Sequence, residues 1–272
     1  MAVTALEKYE MLKARLAALS ATGALIAFSG GVDSTLLLKA AHDAYGDGAV
    51  AVTARSCNFP ESELAEAQAF CAEQGIRHIA LENDEFQIEG YAANTTDRCY
   101  ICKTALLLKF RSTADELGLE IIAEGTNFDD DVVDRAGFRA VTEQGIVSPL
   151  RDAELTKAEI RELLRHFGFA AADKPSLACL ATRIPFGEEI TREKIAQIGA
   201  AERVVFGLGL RQVRVRHHGT IARIETDEDG YRVFADRAVR ERVHAELREI
   251  GFAYVALDLL GYRTGSMSEI AG

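Results

Sequence analysis

The chain has 272 residues, of which 48% are hydrophobic and 27% are charged, and its 42 acidic against 31 basic side chains give a formal net charge of -11. This length is sufficient for one large domain or two smaller ones, and the composition is that of a folded globular protein. The acidic balance argues against a broad nucleic-acid surface, which needs a basic face, and no apolar run approaches the roughly 20 residues that span a bilayer.

The N-terminal segment, residues 1–19, carries charged residues among apolar ones at helical spacing. This pattern predicts an amphipathic helix rather than a signal peptide. We therefore expect a cytoplasmic protein without a membrane partner. Cytoplasmic thiols are rarely paired as disulfides, so metal-binding or catalytic roles gain weight for the five cysteines.

Short apolar runs alternate with segments of helical periodicity along the first part of the chain. This order implies right-handed crossovers and therefore an α/β fold with a doubly wound, mainly parallel sheet. The predicted strands are 24–29, 49–55, 77–81 and 119–124, and the predicted helices are 32–45, 61–74 and 103–117.

A capping box, Thr156-Lys157-Ala158-Glu159, predicts the start of a further helix, and a loop with two prolines follows over Lys174–Gly187. We place a domain boundary at this loop, with a nucleotide-binding domain over 1–175 and a smaller C-terminal α+β domain over 176–272. In the second domain we expect helices over 191–206 and 236–250, a hairpin of 211–216 with 220–225, and a last strand over 252–257.

The clearest motif is the glycine-rich loop between the first strand and the helix that follows it. Such a turn directs backbone N–H groups and the helix dipole at an anion, and glycine lets phosphates approach closely. We call this segment the phosphate loop, and its residues are Ser29, Gly30, Gly31, Val32, Asp33, Ser34 and Thr35. The alternative is a simple turn with helix-capping serines.

The phosphate loop lacks the Gly-Lys-Ser/Thr ending of a Walker A loop. It therefore predicts an enzyme that holds pyrophosphate as a leaving group rather than one that transfers the γ-phosphoryl group. Asp33 is a candidate for organising Mg²⁺ or the loop itself. The pattern resembles the PP-loop ATP pyrophosphatases, in which ATP activates a substrate oxygen as its adenylate and a nucleophile displaces AMP.

Polar residues follow the fourth predicted strand, where ligands bind in open α/β sheets. Gly125 opens this segment, and Asp130 and Arg135 lie within it. We regard these residues as candidates for contacts with ATP or Mg²⁺. An exposed acidic turn is the alternative.

Three cysteines lie in two predicted loops: Cys99 and Cys102 form a Cys-x-x-Cys, and Cys179 follows much later. A [4Fe–4S] cluster usually takes four cysteines, so three thiolates could hold one and leave its fourth iron open for chemistry. A redox pair, a persulfide relay and ordinary buried thiols are the alternatives. A zinc site would need a fourth ligand. We expect Cys57 and Cys71 to be small packed hydrophobes.

Two arginines of the predicted hairpin, Arg214 and Arg216, lie on one face of their strand because strand side chains alternate. Two guanidinium groups suit a substrate that bears phosphate and carboxylates. Spacing alone favours a solvated hairpin face. We interpret His217 and His218 as turn residues rather than metal ligands.

Taken together, the motifs resemble those of the LarE sulfur transferases over nearly the whole chain. The matching segments are 27–35, 98–103, 124–127, 174–187, 213–217, 221–225 and 257–265. The resemblance implies that MgATP adenylates a carboxylate of pyridinium-3,5-dicarboxylate mononucleotide and that sulfur then replaces the adenylated oxygen. Repetition on the second carboxylate would give the precursor of the nickel-pincer cofactor of lactate racemase.

The family divides by its source of sulfur. Some members sacrifice a cysteine at the position that is Ala178 here, and those members lack the Cys-x-x-Cys. The chain resembles the other branch, in which three cysteines hold a [4Fe–4S] cluster whose open iron carries an extra sulfide. The resemblance thus implies that Cys99, Cys102 and Cys179 are the cluster ligands.

Substrate-binding residues carry over from the family where the motifs match. They are Glu202, Arg214, Arg216 and Glu225. The family also implies a homo-oligomer and a partner that donates sulfide or another form of sulfur. A tRNA thiolase of the PP-loop class and a non-catalytic nucleotide-binding iron–sulfur sensor are the rival functions, although the acidic charge disfavours a nucleic-acid partner.

Overall fold

A computed structural model describes residues 3–130, 136–175, 178–263 and 267. The chain forms two compact units. The first comprises Met1–Ser56, Pro60–Ile88 and Cys99–Leu177, and the second comprises Cys57–Phe59, Glu89–Arg98 and Ala178–Gly272. The second unit thus includes two short segments that lie within the 1–175 domain of the sequence-based division.

The first unit is built on a parallel sheet of four strands in the order β3-β2-β1-β4. The strands are β1 (Ala24–Ala27), β2 (Ala49–Arg55), β3 (Arg77–Glu82) and β4 (Ile121–Ala123). The helices are α1 (Ala5–Leu19), α2 (Val32–Tyr45), α3 (Glu61–Gln74), α4 (Arg98–Glu116), α5 (Ala136–Glu143), α6 (Pro149–Asp152) and α7 (Lys157–His166).

Helices cover both faces of this sheet, and the alternation of side chains along β1 shows why. Ala24 and Ile26 pack in a core with residues of α1, α2 and α7, whereas Leu25 packs in a second core with residues of α4 and α5. Successive strand residues point to opposite faces, so a fully buried strand needs a helical layer on each side. The predicted doubly wound α/β fold is confirmed.

The second unit has a mixed sheet of three strands in the order β5-β6-β7. Its strands are β5 (Val213–His218), β6 (Ile221–Thr226) and β7 (Tyr254–Leu257), and its helices are α8 (Arg192–Phe206), α9 (Glu228–Phe234) and α10 (Arg237–Ile250). Strands β5 and β6 form the predicted antiparallel hairpin, and β7 pairs parallel to β6. The helix α9 is an element that the sequence patterns did not predict.

The fourth helix differs from its prediction at its N-terminus. We expected it to begin at Lys103, but α4 begins at Arg98. Cys99 and Cys102 therefore lie in the first turns of a helix and not in a loop. In this first turn the hydroxyl of Tyr100 donates to Glu143 of α5 at 2.6 Å and its ring packs under Arg139, so long-range contacts accompany the earlier start.

Every helix in the described part of the chain is too short or too polar to cross a membrane.

Candidate active site

The phosphate loop lies where the strand order of the first sheet reverses. Strand β1 pairs with β2 on one side and with β4 on the other, so its carboxyl end borders a topological switch point. Ligands of open α/β sheets bind in the crevice at this position. Gly30 turns the chain with a φ of +69°. Gly31 then precedes α2, and no side chain in the described residues caps this helix.

The hydroxyl groups of the phosphate loop are turned onto its own backbone. Thr35 Oγ1 donates to the carbonyl oxygen of Gly31 at 2.7 Å, and Ser34 Oγ donates to the same oxygen at 3.2 Å. Ser29 Oγ accepts the N–H of Gly31 at 3.4 Å. The side chain of Val32 is buried. These contacts shape the turn.

Gly125 brings the end of β4 against the phosphate loop. A Cβ atom at this position would lie 3.1 Å from the backbone nitrogen of Ser34 and 3.3 Å from Cβ of Asp33. Contacts this short require the neighbouring backbone to shift. Glycine thus permits the close approach of the segment after β4 to the first turn of α2.

Asp33 forms two contacts with distant parts of the first unit. Its Oδ2 atom is 2.6 Å from Nζ of Lys157, the first residue of α7, and its Oδ1 accepts from Asn127 Nδ2 at 3.2 Å. Sequence reasoning named Lys157 only as part of a capping box. A lysine at a helix N-terminus opposes the helix dipole, and that feature is the signal that could have identified it.

Asp130 supports the same strand end through its own turn. Its carboxylate accepts the N–H of Asn127 at 3.0 Å, and its carbonyl oxygen accepts from Arg151. The carboxylate thus orders the residue that contacts Asp33. Arg135, the other candidate of this segment, lies outside the described residues.

The Cys-x-x-Cys thiols lie on α4 in the first unit. Cys99 is exposed and Cys102 is half-buried. Residues three apart are neighbours on a helix surface, so both thiols lie on one side of α4. The contacts of Tyr100 with Arg139 and Glu143 attach this turn to α5.

Cys179 belongs to the second unit, where it is half-buried and precedes a short 3-10 helix over Leu180–Arg183. Its carbonyl oxygen accepts from Thr182 Oγ1 at 2.8 Å and from Arg183 at 3.1 Å. The next N–H group, that of Leu180, donates to the carbonyl oxygen of Asn58 at 3.0 Å. The backbone on the C-terminal side of this thiol is therefore firmly held.

The described residues contain no group of three or more His, Cys, Asp or Glu side chains arranged to hold a metal ion. The cluster ligation by Cys99, Cys102 and Cys179 thus stays a prediction. The remaining cysteines differ from each other. Cys71 is buried as predicted, and burial raises the pKa of its thiol to about 12. Cys57 is exposed, so its prediction as a packed residue is wrong.

A buried ion pair lies next to the loop of Cys179. Arg183 is 1% exposed, and its guanidinium contacts both carboxylate oxygens of Glu202 at 2.8 and 3.0 Å. Glu202 also accepts the N–H of Val215 at 3.0 Å. The carboxylate therefore compensates a buried charge and orders β5.

Arg214 and Arg216 are buried in β5 rather than on a solvated hairpin face. Arg216 donates twice to Glu225, at 2.7 and 3.0 Å, and Glu225 also pairs with Arg223 at 3.0 Å. Arg214 packs over the ring of Tyr262 at 5.2 Å. Burial, and next the positive charge of Arg183, lower the pKa of Arg214. The second unit thus concentrates positive charge around a few carboxylates.

The two histidines of the hairpin lie in β5, so their prediction as turn residues is wrong. His217 Nε2 lies 3.2 Å from Gln197 Oε1, and its ring packs edge-on against Phe252. His218 accepts from Arg223 Nε at 3.1 Å. Burial lowers the pKa of both imidazoles. These contacts are those of packed residues.

Comparison with known proteins places these features in a family. No family model matches the chain. An uncharacterized protein of Synechocystis is 40% identical over 247 residues, which are 91% of this chain and 92% of that protein. The pyridinium-3,5-bisthiocarboxylic acid mononucleotide synthase of Lactiplantibacillus plantarum is 35% identical over 245 residues, which are 90% of this chain and 88% of that protein.

A more distant relative shares part of the chain. It is a component of the glutamine-hydrolysing GMP synthase of Archaeoglobus fulgidus and is 24% identical over 201 residues, which are 67% of this chain and 63% of that protein. The parallel sheet with a phosphate loop at its switch point agrees with this relationship. The chain is therefore an enzyme of the LarE family, the family of the pyridinium-3,5-bisthiocarboxylic acid mononucleotide synthase, within the PP-loop superfamily.

Proposed function

We propose that the chain is an ATP-dependent sulfur transferase that acts on pyridinium-3,5-dicarboxylate mononucleotide. ATP adenylates a substrate carboxylate, pyrophosphate leaves, and sulfur displaces AMP to give a thiocarboxylate. The observation that carries the proposal is the 35% identity to the named synthase, because it extends over 90% of this chain and so includes both units. Products of this reaction would serve the nickel-pincer cofactor of lactate racemase.

The phosphate loop would bind the departing pyrophosphate. Its backbone N–H groups and the dipole of α2 favour an anion at this position. Lys157 Nζ lies 2.6 Å from Asp33, so a cationic side chain is available at the same place. Asp33, an acidic oxygen ligand of the kind that Mg²⁺ prefers, is our candidate for the metal of MgATP. Gly125 and Asp130 would keep the strand end of β4 against the loop.

The buried arginines of the second unit would bind the acidic substrate. Arg214 and Arg216 present guanidinium groups, which pair with phosphate and carboxylate in a bidentate manner. Glu225 neutralises part of this charge and orients Arg216 through two hydrogen bonds. Glu202 holds Arg183 in the same way. We therefore assign the glutamates to ordering the anion site rather than to direct contact with substrate carboxylates.

We propose further that Cys99, Cys102 and Cys179 bind a [4Fe–4S] cluster. Two observations support these thiols as ligands: Cys99 and Cys102 lie one turn apart on α4, and neither of them nor Cys179 is fully buried. When bound, a cluster with three cysteine ligands supplies one iron that is open to a sulfide. Ala178 has no sulfur to sacrifice, so the polypeptide would survive turnover intact.

The decisive experiment measures pyrophosphate release from ATP by anaerobically purified protein. We expect release only when pyridinium-3,5-dicarboxylate mononucleotide is added, together with a thiocarboxylate product when sulfide is present. Turnover of ATP with tRNA alone would replace this function by that of a tRNA thiolase. Absence of turnover with either substrate, despite tight nucleotide binding, would indicate a sensor.

The cluster has a separate test. Anaerobic protein should contain about four irons per chain, and Cys99→Ala, Cys102→Ala and Cys179→Ala should each remove them. Cys71→Ala is the matched control, since this thiol is buried in the core. A fully active, iron-free protein would contradict the cluster. A dehydroalanine at position 179 after turnover would instead indicate a sacrificial thiol.

We propose further that the chain forms a homo-oligomer, works in the cytoplasm and receives sulfide from a donor. Leu259 and Leu260, which are 92% and 75% exposed, are our candidates for the contact between copies. Light scattering of the purified chain tests the assembly.

A further inference from the structure

The phosphate loop leaves the first sheet at the peptide group that joins Phe28 to Ser29. Phe28 is 2% exposed, and its N–H continues the pairing of β1 with β2 by donating to the carbonyl oxygen of Val52 at 2.9 Å. Its carbonyl oxygen accepts from a side chain, the hydroxyl of Thr53 in β2, at 2.6 Å. The point where the loop departs is therefore attached to β2 by a side-chain hydrogen bond.

The N–H at the other end of this peptide group is also held. It belongs to Ser29 and donates to Ser34 Oγ, in the first turn of α2, at 3.3 Å. Ser34 Oγ in turn donates to the carbonyl oxygen of Gly31 at 3.2 Å. A peptide group is planar, so a bond at its carbonyl oxygen and a bond at its N–H together fix the orientation of the whole group.

The hydroxyl of Thr53 has a partner of its own in β3. His78 Nε2 lies 2.8 Å from Thr53 Oγ1. A hydroxyl has one proton, and the carbonyl oxygen of Phe28 can only accept, so His78 Nε2 is the atom that donates to Thr53. Burial lowers the pKa of His78, so the imidazole is neutral at neutral pH and carries its proton on Nε2.

These hydrogen bonds run in one direction, from the imidazole of His78 to the carbonyl oxygen of Gly31. Every hydroxyl and peptide group between them accepts one bond and donates the next. Hydrogen bonds arranged in such a chain polarise and strengthen one another. The chain ends at the residue that precedes α2, and the first N–H groups of a helix, which have no partner within it, are the groups that it offers to an anion.

We propose that Thr53 and His78 are positioning residues for the binding of ATP: the Thr53 hydroxyl, oriented by His78, fixes the Phe28–Ser29 peptide and with it the conformation of the phosphate loop. This inference rests on the proposed function, in which the loop holds the phosphates of ATP. All of these residues belong to the first unit.

Two features distinguish this role from a contribution to stability alone. Gly30 and Gly31 give the loop a backbone with wide conformational freedom, and Gly30 has a φ of +69°, so the loop needs contacts from outside to hold one conformation. Valine suits a buried strand as well as threonine does, so β2 itself does not require the hydroxyl of Thr53. The hydroxyl is used at the place where the chain leaves the sheet.

The test measures the dissociation constant of MgATP by isothermal titration calorimetry on the full-length chain. Thr53→Val removes the hydroxyl at nearly constant shape and should raise this constant by about three- to tenfold, the factor expected for loss of one neutral hydrogen bond. Thr53→Ser keeps the hydroxyl and should stay within about twofold of the parent. His78→Leu should weaken binding in the same direction, and His78→Gln, which keeps an N–H donor, should recover most of the affinity.

Thr226→Val is the matched control. Thr226 is 1% exposed in β6 of the second unit, and its hydroxyl also donates to a carbonyl oxygen, that of Gln212, at 3.1 Å. We expect this variant to lower the melting temperature as Thr53→Val does while it leaves the dissociation constant of MgATP unchanged. The double variant Thr53→Val/His78→Leu should bind MgATP no more weakly than Thr53→Val alone, because members of one hydrogen-bond chain are not additive.

The imidazole of His78 gives a spectroscopic signature that does not depend on a ligand. Nitrogen-15 NMR of the parent at about pH 8, where a histidine with a lowered pKa is neutral, should show the tautomer with its proton on Nε2. The absence of this resonance in His78→Gln assigns it. In Thr53→Val the resonance should shift, because the acceptor of the Nε2 proton has been removed.

MgATP binding at the parental affinity in Thr53→Val would overturn the inference, as would a proton on Nδ1 of His78 in the parent or a parent that binds no MgATP. If Thr53→Val fails to fold, His78→Leu and His78→Gln decide the question by the same measurement. The proposed function is judged separately, by substrate-dependent release of pyrophosphate. A parent that binds MgATP but releases no pyrophosphate would refute that function alone, and a parent that turns over substrate while the variants bind MgATP normally would refute only the positioning role.

Discussion

Removal of the Glu202 carboxylate tests whether it compensates a buried charge. Glu202 is 6% exposed, holds Arg183 by two hydrogen bonds of 2.8 and 3.0 Å, and accepts the N–H of Val215. In Glu202→Ala the guanidinium of Arg183, which is 1% exposed, stays buried without its counter-charge. Breaking a buried pair in this way costs about 3–5 kcal/mol.

The assay is urea denaturation at neutral pH, followed by a probe in the second unit. A melting experiment should show a fall of about 2–4 °C for each kcal/mol lost. The double variant Arg183→Met/Glu202→Leu should recover most of the loss, because apolar residues of similar volume often replace a buried ion pair without cost. Glu241→Ala is the control, since its i,i+4 pair with Arg237 is exposed and such pairs contribute about 0.3–0.5 kcal/mol.

A loss of less than about 1 kcal/mol in Glu202→Ala would refute the compensation of a desolvated charge. A double variant as unstable as the single one would show that the loss arises from the other contacts of these side chains, such as those with the N–H of Val215 and the carbonyl oxygen of Cys179, and not from the unpaired charge.

Three further substitutions test the phosphate loop and the pH dependence of stability. Gly125→Ala should lower the rate of ATP-dependent pyrophosphate release, because its Cβ would lie 3.1 Å from the backbone nitrogen of Ser34 and displace the loop by a few tenths of an ångström. Gly137→Ala is the control, since its Cβ would have its nearest atom at an ordinary 3.6 Å. Lys157→Met should raise the KM for ATP by about tenfold, as expected for loss of one charge-assisted contact beside Asp33. Lys39→Met is the control: it removes a lysine that pairs with Asp43 of α2, and it should leave the KM for ATP unchanged. Burial lowers the pKa of His217 below its ordinary 6.5, so as pH falls the unfolded chain takes up this proton at a higher pH than the folded chain does. The contribution of His217 to the free energy of unfolding is therefore complete above pH 6.5. It declines as pH falls from 6.5 to the lowered pKa. Urea midpoints at about pH 7.5 and about pH 5.5 should therefore differ less in His217→Gln than in the parent, and equal pH dependence would contradict the assignment.

Much of the first unit follows from short-range patterns. The bounds of α2, β2 and α3 agree with those expected from periodicity, glycine and proline positions alone. The capping box at the start of α7 is also present, with Thr156 and Glu159 bonded as the pattern predicts. These features are local, so neighbouring residues contain the information that determines them.

The start of α4 shows where local patterns are insufficient. Its first turn is polar, and Tyr100 contacts residues about 40 positions later in the chain, at Glu143. Lys157 is likewise separated from Asp33 by 124 residues. A side chain that is ordered by such a partner carries no periodic signal, so the earlier helix start was not predictable. For Lys157 the only local signal is its unfavourable position at a helix N-terminus, which does not identify Asp33 as its partner.

The sequence by itself determined the class of the protein: a doubly wound α/β unit with a phosphate loop between its first strand and the helix after it, because that motif is contiguous and its chemistry resides in the backbone. Tertiary structure alone decided the state of Arg214 and Arg216. Strand periodicity put both arginines on one face, but their burial depends on β6, α8 and the residues that cover them. The same holds for Asn94 and Arg98 of the second unit, which donate to the carbonyl oxygens of Pro185 and Ala181, each more than 80 positions away. Desolvation and long-range hydrogen bonding are properties of the assembled fold, and they convert a set of charged residues into an ordered site.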